Sequence, residues 1–175
     1  MFYSKMDRNA TRDRLFLAAV PDAATADRIF RMSNVLKRAY GFTGKLTEPN
    51  RLHVSLFFLG GLPDEMVRPA CAALADVRLP PFNVVFDRSV SLRGRADNRP
   101  FVLIGGDGPS ELKSLRQMIG AVLTRSGLRQ RANTNFFPHI TLLYDASSAE
   151  EHPVEPVAWT VNELCSFAVK EATSM

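Results

Sequence analysis

Cysteine is scarce in this sequence: among 175 residues only Cys71 and Cys165 occur. Their separation fits neither a zinc site nor a C-x-x-C redox pair. Both stand among apolar neighbours, so buried free thiols are expected. Long apolar runs are also missing, and none approaches the roughly 18 residues that a membrane-crossing helix needs. The opening residues, Met1 to Arg8, lack the apolar stretch and small-residue cleavage site of a secretory signal, so the expected compartment is the cytoplasm, with no membrane partner. Neither G-x-G-x-x-G nor a P-loop lysine motif is present, which argues against a nucleoside-triphosphate enzyme. Ser55 lies mid-strand without a G-x-S-x-G elbow, a poor setting for a nucleophilic serine. No Pro/Gly/Ser-rich linker and no block of like charge divides the chain.

What is there is enough for a folded domain. Apolar residues make up 46% of the chain, and 22 basic against 18 acidic residues leave a formal charge of +4. That excess permits an anionic partner without requiring one. Residues 1–13 are polar and aperiodic and are expected to be loosely ordered. Residues 14–20 suit a buried strand ended by Pro21, and Asp22 can cap a helix in which Ile29, Met32, Leu36 and Ala39 share a face and which Gly41 stops. Strands are predicted over 51–59, 82–92, 99–105 and 138–144. Further helices are predicted within 64–77 and from Leu112 to Val122, the last one ended by Gly127, and a final apolar segment runs from Val157 to about Val169. Helices alternate with single strands and strand pairs, so the class is α/β or α+β.

The chemistry concentrates in two of the three histidines. Residues 53–56 read His-Val-Ser-Leu and residues 139–142 read His-Ile-Thr-Leu, 86 residues later. The same tetrapeptide near half the chain length suggests an internal duplication with one motif per lobe. On a strand, residues i and i+2 point the same way. His53 and Ser55 therefore share one face while Val54 and Leu56 anchor the other, and His139 and Thr141 share a face opposite Ile140 and Leu142. A lone strand histidine is ordinarily a packing residue, but packing gives no reason for the same histidine-to-hydroxyl offset twice.

Two imidazoles near neutral pH can supply one acid and one base. Two hydroxyls can hold the non-bridging oxygens of a phosphoryl group. In-line displacement at phosphorus needs acid and base on opposite sides, which two facing strands would provide. No metal is expected, because H-x-S/T without a carboxylate cluster is poor ligand spacing, and no cofactor is called for. His152, in the acidic loop Glu150-Glu151-His152-Pro153, reads as an exposed surface residue.

Residues 110–143 carry Lys113, Arg116, Arg125, Arg129 and Arg131 against the single acid Glu111. Arg129 and Arg131 lie in the loop that delivers His139 and could contact phosphates, while Phe136 or Phe137 could stack a base; Phe42 is a weaker stacking candidate. A solvated loop over two core phenylalanines is the competing reading.

At these residues the sequence resembles the two-histidine phosphoesterase superfamily, in particular the bacterial RNA 2′,3′-cyclic phosphodiesterases, also called 2′-5′ RNA ligases. The match includes Pro49-Asn50-Arg51-Leu52 before the first motif and Phe136-Phe137-Pro138 before the second, and extends from about Arg14. The resemblance implies a single bilobal α+β domain over 14–175, with antiparallel sheets lining a central cleft in pseudo-twofold arrangement and helices outside. It implies metal-independent opening of 2′,3′-cyclic phosphate ends of RNA or nucleotides to 2′-phosphomonoesters, with 2′-5′ ligation as the reverse reaction. His53 would be the proton donor, His139 the base, and Ser55 and Thr141 the phosphate ligands. After the second motif this chain has Leu143-Tyr144 where a small residue and arginine are common, which bears on substrate identity; Tyr144 joins Arg129, Arg131, Phe42 and Phe137 as a substrate-binding candidate. The expected partner is RNA or a nucleotide, with the chain a monomer needing no protein partner. A non-catalytic nucleotide- or RNA-binding module that keeps the cleft is the alternative.

Overall fold

The computed structural model describes residues 14–60, 69, 72–74, 77, 80–106, 110–127, 136–162 and 165–169. Its strands are β1 (Arg14–Ala19), β2 (Val54–Gly60), β3 (Phe82–Ser91), β4 (Arg99–Ile104), β5 (His139–Asp145), β6 (His152–Val161) and β7 (Cys165–Val169). Two long helices, α1 (Ala23–Ala39) and α2 (Ser110–Arg125), and a 3-10 turn at Pro49–Arg51 complete the described elements. All strand pairs are antiparallel, in the order β6-β3-β4-β5-β2-β1-β7. The fold is α+β.

Local chemistry explains the helix ends. Asp22 caps α1, its carboxylate accepting from the Thr25 backbone N–H at 2.9 Å. Gly41 and Gly127, at φ 69° and 82°, take the left-handed conformation just beyond α1 and α2. Both helices press one apolar face on the sheet, Ala26 and Ile29 from α1 and Leu112, Leu115, Ile119 and Leu123 from α2, in one core with Val54, Leu56, Phe86, Phe101, Ile140 and Trp159.

Three sequence readings change. Residues 49–51 form a 3-10 turn opened by Pro49, so the strand expected from 51 begins at Val54. The apolar segment 157–169 belongs to two strands at opposite edges of the sheet, β6 and β7. His152, expected in a loop, is the first residue of β6, exposed as expected. The helix expected within 64–77 falls largely outside the described residues, as do residues 1–13 and Cys71; residues 72–74 are helical.

The sheet is built from two halves, β7-β1-β2 and β5-β4-β3-β6, which meet at one bridge, Val54 with Ile140. In each half a strand, a long helix and a motif strand follow one another: β1, α1, β2 and then β4, α2, β5, at nearly the same 86-residue displacement that separates the histidines. Away from the bridge other groups fill the seam. Leu46 bridges Leu143, and the Thr47 N–H donates to the Leu142 carbonyl at 2.7 Å. Farther along, Asp145 Oδ2 accepts from the N–H groups of Thr43 and Gly44, both at 2.7 Å. Gly44 is required by this approach: a Cβ there would lie 1.9 Å from the Tyr144 carbonyl oxygen.

Candidate active site

Val54, Leu56, Ile140 and Leu142 are buried, whereas Ser55 is exposed and His53, His139 and Thr141 are half-buried. The histidine-plus-hydroxyl face expected from strand alternation is therefore the face away from the helices. Cross-strand partners share a face, so Ala18 stands beside Ser55, Val102 beside Thr141 and Ile104 beside His139, making an apolar floor. Continuing the Val54–Ile140 register one residue each way sets His53 opposite Thr141 and Ser55 opposite His139. The imidazoles thus lie diagonally across the seam, at roughly 7–8 Å between backbones by standard ladder geometry.

Both rings are held alike. Nδ1 of His53 bonds the Arg51 carbonyl oxygen at 2.7 Å, and Nδ1 of His139 bonds the Phe137 carbonyl oxygen at 2.7 Å. A carbonyl only accepts, so each Nδ1 carries hydrogen and each Nε2 is the remaining ring nitrogen, open to proton transfer. Nε2 of His53 lies 3.1 Å from Ser55 Oγ, and the His53 ring rests against Phe16 with centroids 4.9 Å apart. Burial, opposed by the Arg51 carbonyl bond and reinforced by the like charges of His139 and Arg51, holds His53 below the usual histidine value of 6.5. Among the described residues no group of three or more His, Cys, Asp or Glu could hold a metal ion.

Each motif also carries a β-bulge that alternation alone does not reveal. Ala18 pairs with Ser55 and Leu17 with Phe57, so Leu56 is the extra residue; Val102 pairs with Thr141 and Phe101 with Leu143, so Leu142 is. A bulge reverses the facing of the residues beyond it. Phe57 turns toward the helices, and Phe58 and Tyr144 turn to the histidine face, 57% and 50% exposed. These two aromatics are equivalent in the duplicated halves, and Phe58 is the exposed ring on the histidine face that period-two reading misses.

The other candidates separate. Phe137 is 49% exposed beside His139, with ring centroids 6.3 Å apart. Phe42 is a correction: only 5% exposed, it packs on Tyr40 and Phe101 in the core and is not a surface for a base. Phe136 is half-buried against the core. Arg129 and Arg131 lie outside the described residues.

Comparison with known proteins agrees with this arrangement. The chain matches the 2′-5′ RNA ligase superfamily over residues 21–173. It is 33% identical over 132 residues to the RNA 2′,3′-cyclic phosphodiesterase of Escherichia coli, spanning 74% of this chain and 68% of that one. It is 28% identical over 130 residues to the protein of the same name from Archaeoglobus fulgidus, spanning 74% and 70%. The solved structure of Escherichia coli LigT complexed with 3′-AMP superposes with a TM-score of 0.70 and 27% identity, over 93% of this chain and 91% of LigT. With the doubled motif on paired central strands, these matches establish that the chain belongs to the 2′-5′ RNA ligase superfamily of two-histidine phosphoesterases.

Proposed function

We propose that this protein is a metal-independent phosphodiesterase that opens a 2′,3′-cyclic phosphate at the end of an RNA or on a nucleotide to the 2′-phosphomonoester. One observation carries the reading: two imidazoles related across the Val54–Ile140 bridge, each held at Nδ1 by the carbonyl two residues upstream, each followed two residues later by a hydroxyl. The naming of relatives as RNA 2′,3′-cyclic phosphodiesterases supports it.

In this reading the phosphoryl group sits over the seam between the histidines. Nε2 of His139 takes a proton from water as its oxygen bonds to phosphorus. Nε2–H of His53 gives its proton to the 3′ oxygen as the P–O3′ bond breaks, leaving a 3′ hydroxyl and a 2′ monoester. Ser55 and Thr141 donate to the non-bridging oxygens as charge builds there. In the free protein Nε2 of His53 lies 3.1 Å from Ser55 Oγ; when substrate binds, this contact gives way so that Nε2–H faces the 3′ oxygen and the Ser55 hydroxyl turns to the phosphate. Phe58, Tyr144 and Phe137 offer ring faces to bases around the phosphorus, and Arg129 and Arg131 are assigned to flanking phosphates. A 5′ hydroxyl in place of water would give 2′-5′ ligation at the same site.

Phosphorus NMR of a 2′,3′-cyclic nucleotide incubated with the protein tests the reading. Conversion to the 2′-monoester alone is expected, with turnover about 10²- to 10⁴-fold lower in His53→Ala and in His139→Ala at unchanged fold. Binding without product would instead assign a nucleotide-binding module, and full activity in both variants would falsify the roles.

A further inference from the structure

Leu56 is the bulged residue at the end of the first motif, beyond the Val54–Ile140 pair, and its carbonyl is met by a side chain. Arg116, half-buried on α2, donates from Nε to that oxygen at 3.0 Å. Its guanidinium carbon lies 4.8 Å from the centroid of Phe57 and 5.0 Å from that of Phe136, so the cation bridges two rings. Phe57 follows the first motif. Phe136 precedes Phe137, whose carbonyl oxygen holds Nδ1 of His139. One guanidinium therefore grips the chain on both sides of the seam, next to the anchor of one histidine and at the end of the other motif. It does so from the side of the sheet where α2 packs, opposite the histidines, so it does not meet a phosphoryl group bound between them.

We propose that Arg116 is the positioning residue that sets the separation of the two motifs and thereby the alignment of His53 with His139. Only a planar cation with a donor at Nε can bond the carbonyl while facing both rings; lysine keeps the charge but not this geometry. The kinetic arm of the test rests on the phosphodiesterase reading; the spectroscopic arm does not.

The experiment compares the full chain with its Arg116→Met, Arg116→Lys and Phe136→Leu variants. With 2′,3′-cyclic AMP as substrate, kcat is expected to fall about 10- to 100-fold in both Arg116 variants, since an ångström of misalignment costs that much, with KM within about threefold. Phe136→Leu, which removes one ring and keeps the carbonyl bond, should show a smaller loss in the same direction, and decides the matter if an Arg116 variant does not fold. The imidazole signals of His53, followed by NMR against pH, should move up toward an ordinary histidine in Arg116→Met, as looser alignment of the motifs relieves its burial. Wild-type kcat with unchanged titrations overturns the proposal. So does rescue by lysine, which would make the charge sufficient, or a change confined to KM, which would make Arg116 a substrate contact. If the parent chain turns over no cyclic phosphate, the functional reading fails and the titrations still decide the role of Arg116.

Discussion

Val54 and Ile140 hold the same place in the two motifs, and each is the other's cross-strand partner. Equivalent residues can pair with each other only where a local twofold axis passes between them. The axis of the duplicated halves thus runs through this bridge, and it carries His53 to His139, Ser55 to Thr141, Leu56 to Leu142 and Phe58 to Tyr144. A phosphorus atom on the axis would have one imidazole on each side, the disposition that in-line displacement needs. Within this geometry His53 is held below the ordinary histidine value, chiefly by its burial.

That shift gives a pH prediction. In the proposed role of proton donor His53 must be charged, and in the free protein it loses its proton below pH 6.5. The value of kcat/KM, which reports the free enzyme, is expected to fall as pH rises through a point below 6.5. A bound phosphate anion favours the imidazolium, so the same limb of kcat should lie at higher pH. Rate profiles on a 2′,3′-cyclic nucleotide check both. A limb that rises with pH in that range would exchange the two roles.

The exposed aromatics should act on binding. Stacking of a base on an aromatic ring is worth about 1–3 kcal/mol. Phe58→Ala and Tyr144→Ala are each expected to raise KM about 5- to 100-fold while changing kcat little. Steady-state kinetics with nucleotide substrates measures this; an unchanged KM in both removes the rings from the binding face.

Gly44→Ala is expected to destabilise the fold by about 3 kcal/mol, because the new methyl would occupy the space of the Tyr144 carbonyl oxygen. Chemical denaturation measures the loss. A variant as stable as the parent would show that the 43–47 segment can withdraw from β5.

Asp145 accepts from the N–H groups of Thr43, Gly44 and Ser147, and these bonds hold its carboxyl at about 2, below its ordinary 3.8. A carboxyl lowered in the folded state adds stability that is complete above 3.8 and is lost as pH falls through about 2. Asp145→Asn is expected to cost about 2 kcal/mol near neutral pH, and the difference from the parent should shrink as pH falls. Denaturation curves from pH 6 to pH 2 check this; a constant difference would place the loss in packing instead of charge.

Much of the site was readable because it rests on local rules. Asp22 and Gly41 mark the ends of α1, and period-two alternation sets His53 and Ser55 against Val54 and Leu56. The bulges were not readable, because an extra residue in one strand is defined only by its partner; without them Phe58 falls on the wrong face. Phe42 misled for a similar reason: it stands between Gly41 and Thr43 with no apolar periodicity, while Phe101, the ring nearest to it, comes from β4. Arg116 looked like one more base in a basic stretch, since its partners lie on β2 and ahead of β5.

The strand order also governs how the chain is assembled. The half that holds His139 is drawn from one continuous stretch, residues 82–161, and its strands find partners close in sequence. In the half that holds His53, β1 lies between β2 and β7, so the earliest strand has both neighbours only once residues 165–169 are available. During synthesis the half with His139 can close while the half with His53 still shows an open strand edge. The two histidines are matched in space, but the strand beside His53 depends on a partner, β7, that lies about 150 residues further along the chain, whereas His139 stands among strands close to it in sequence.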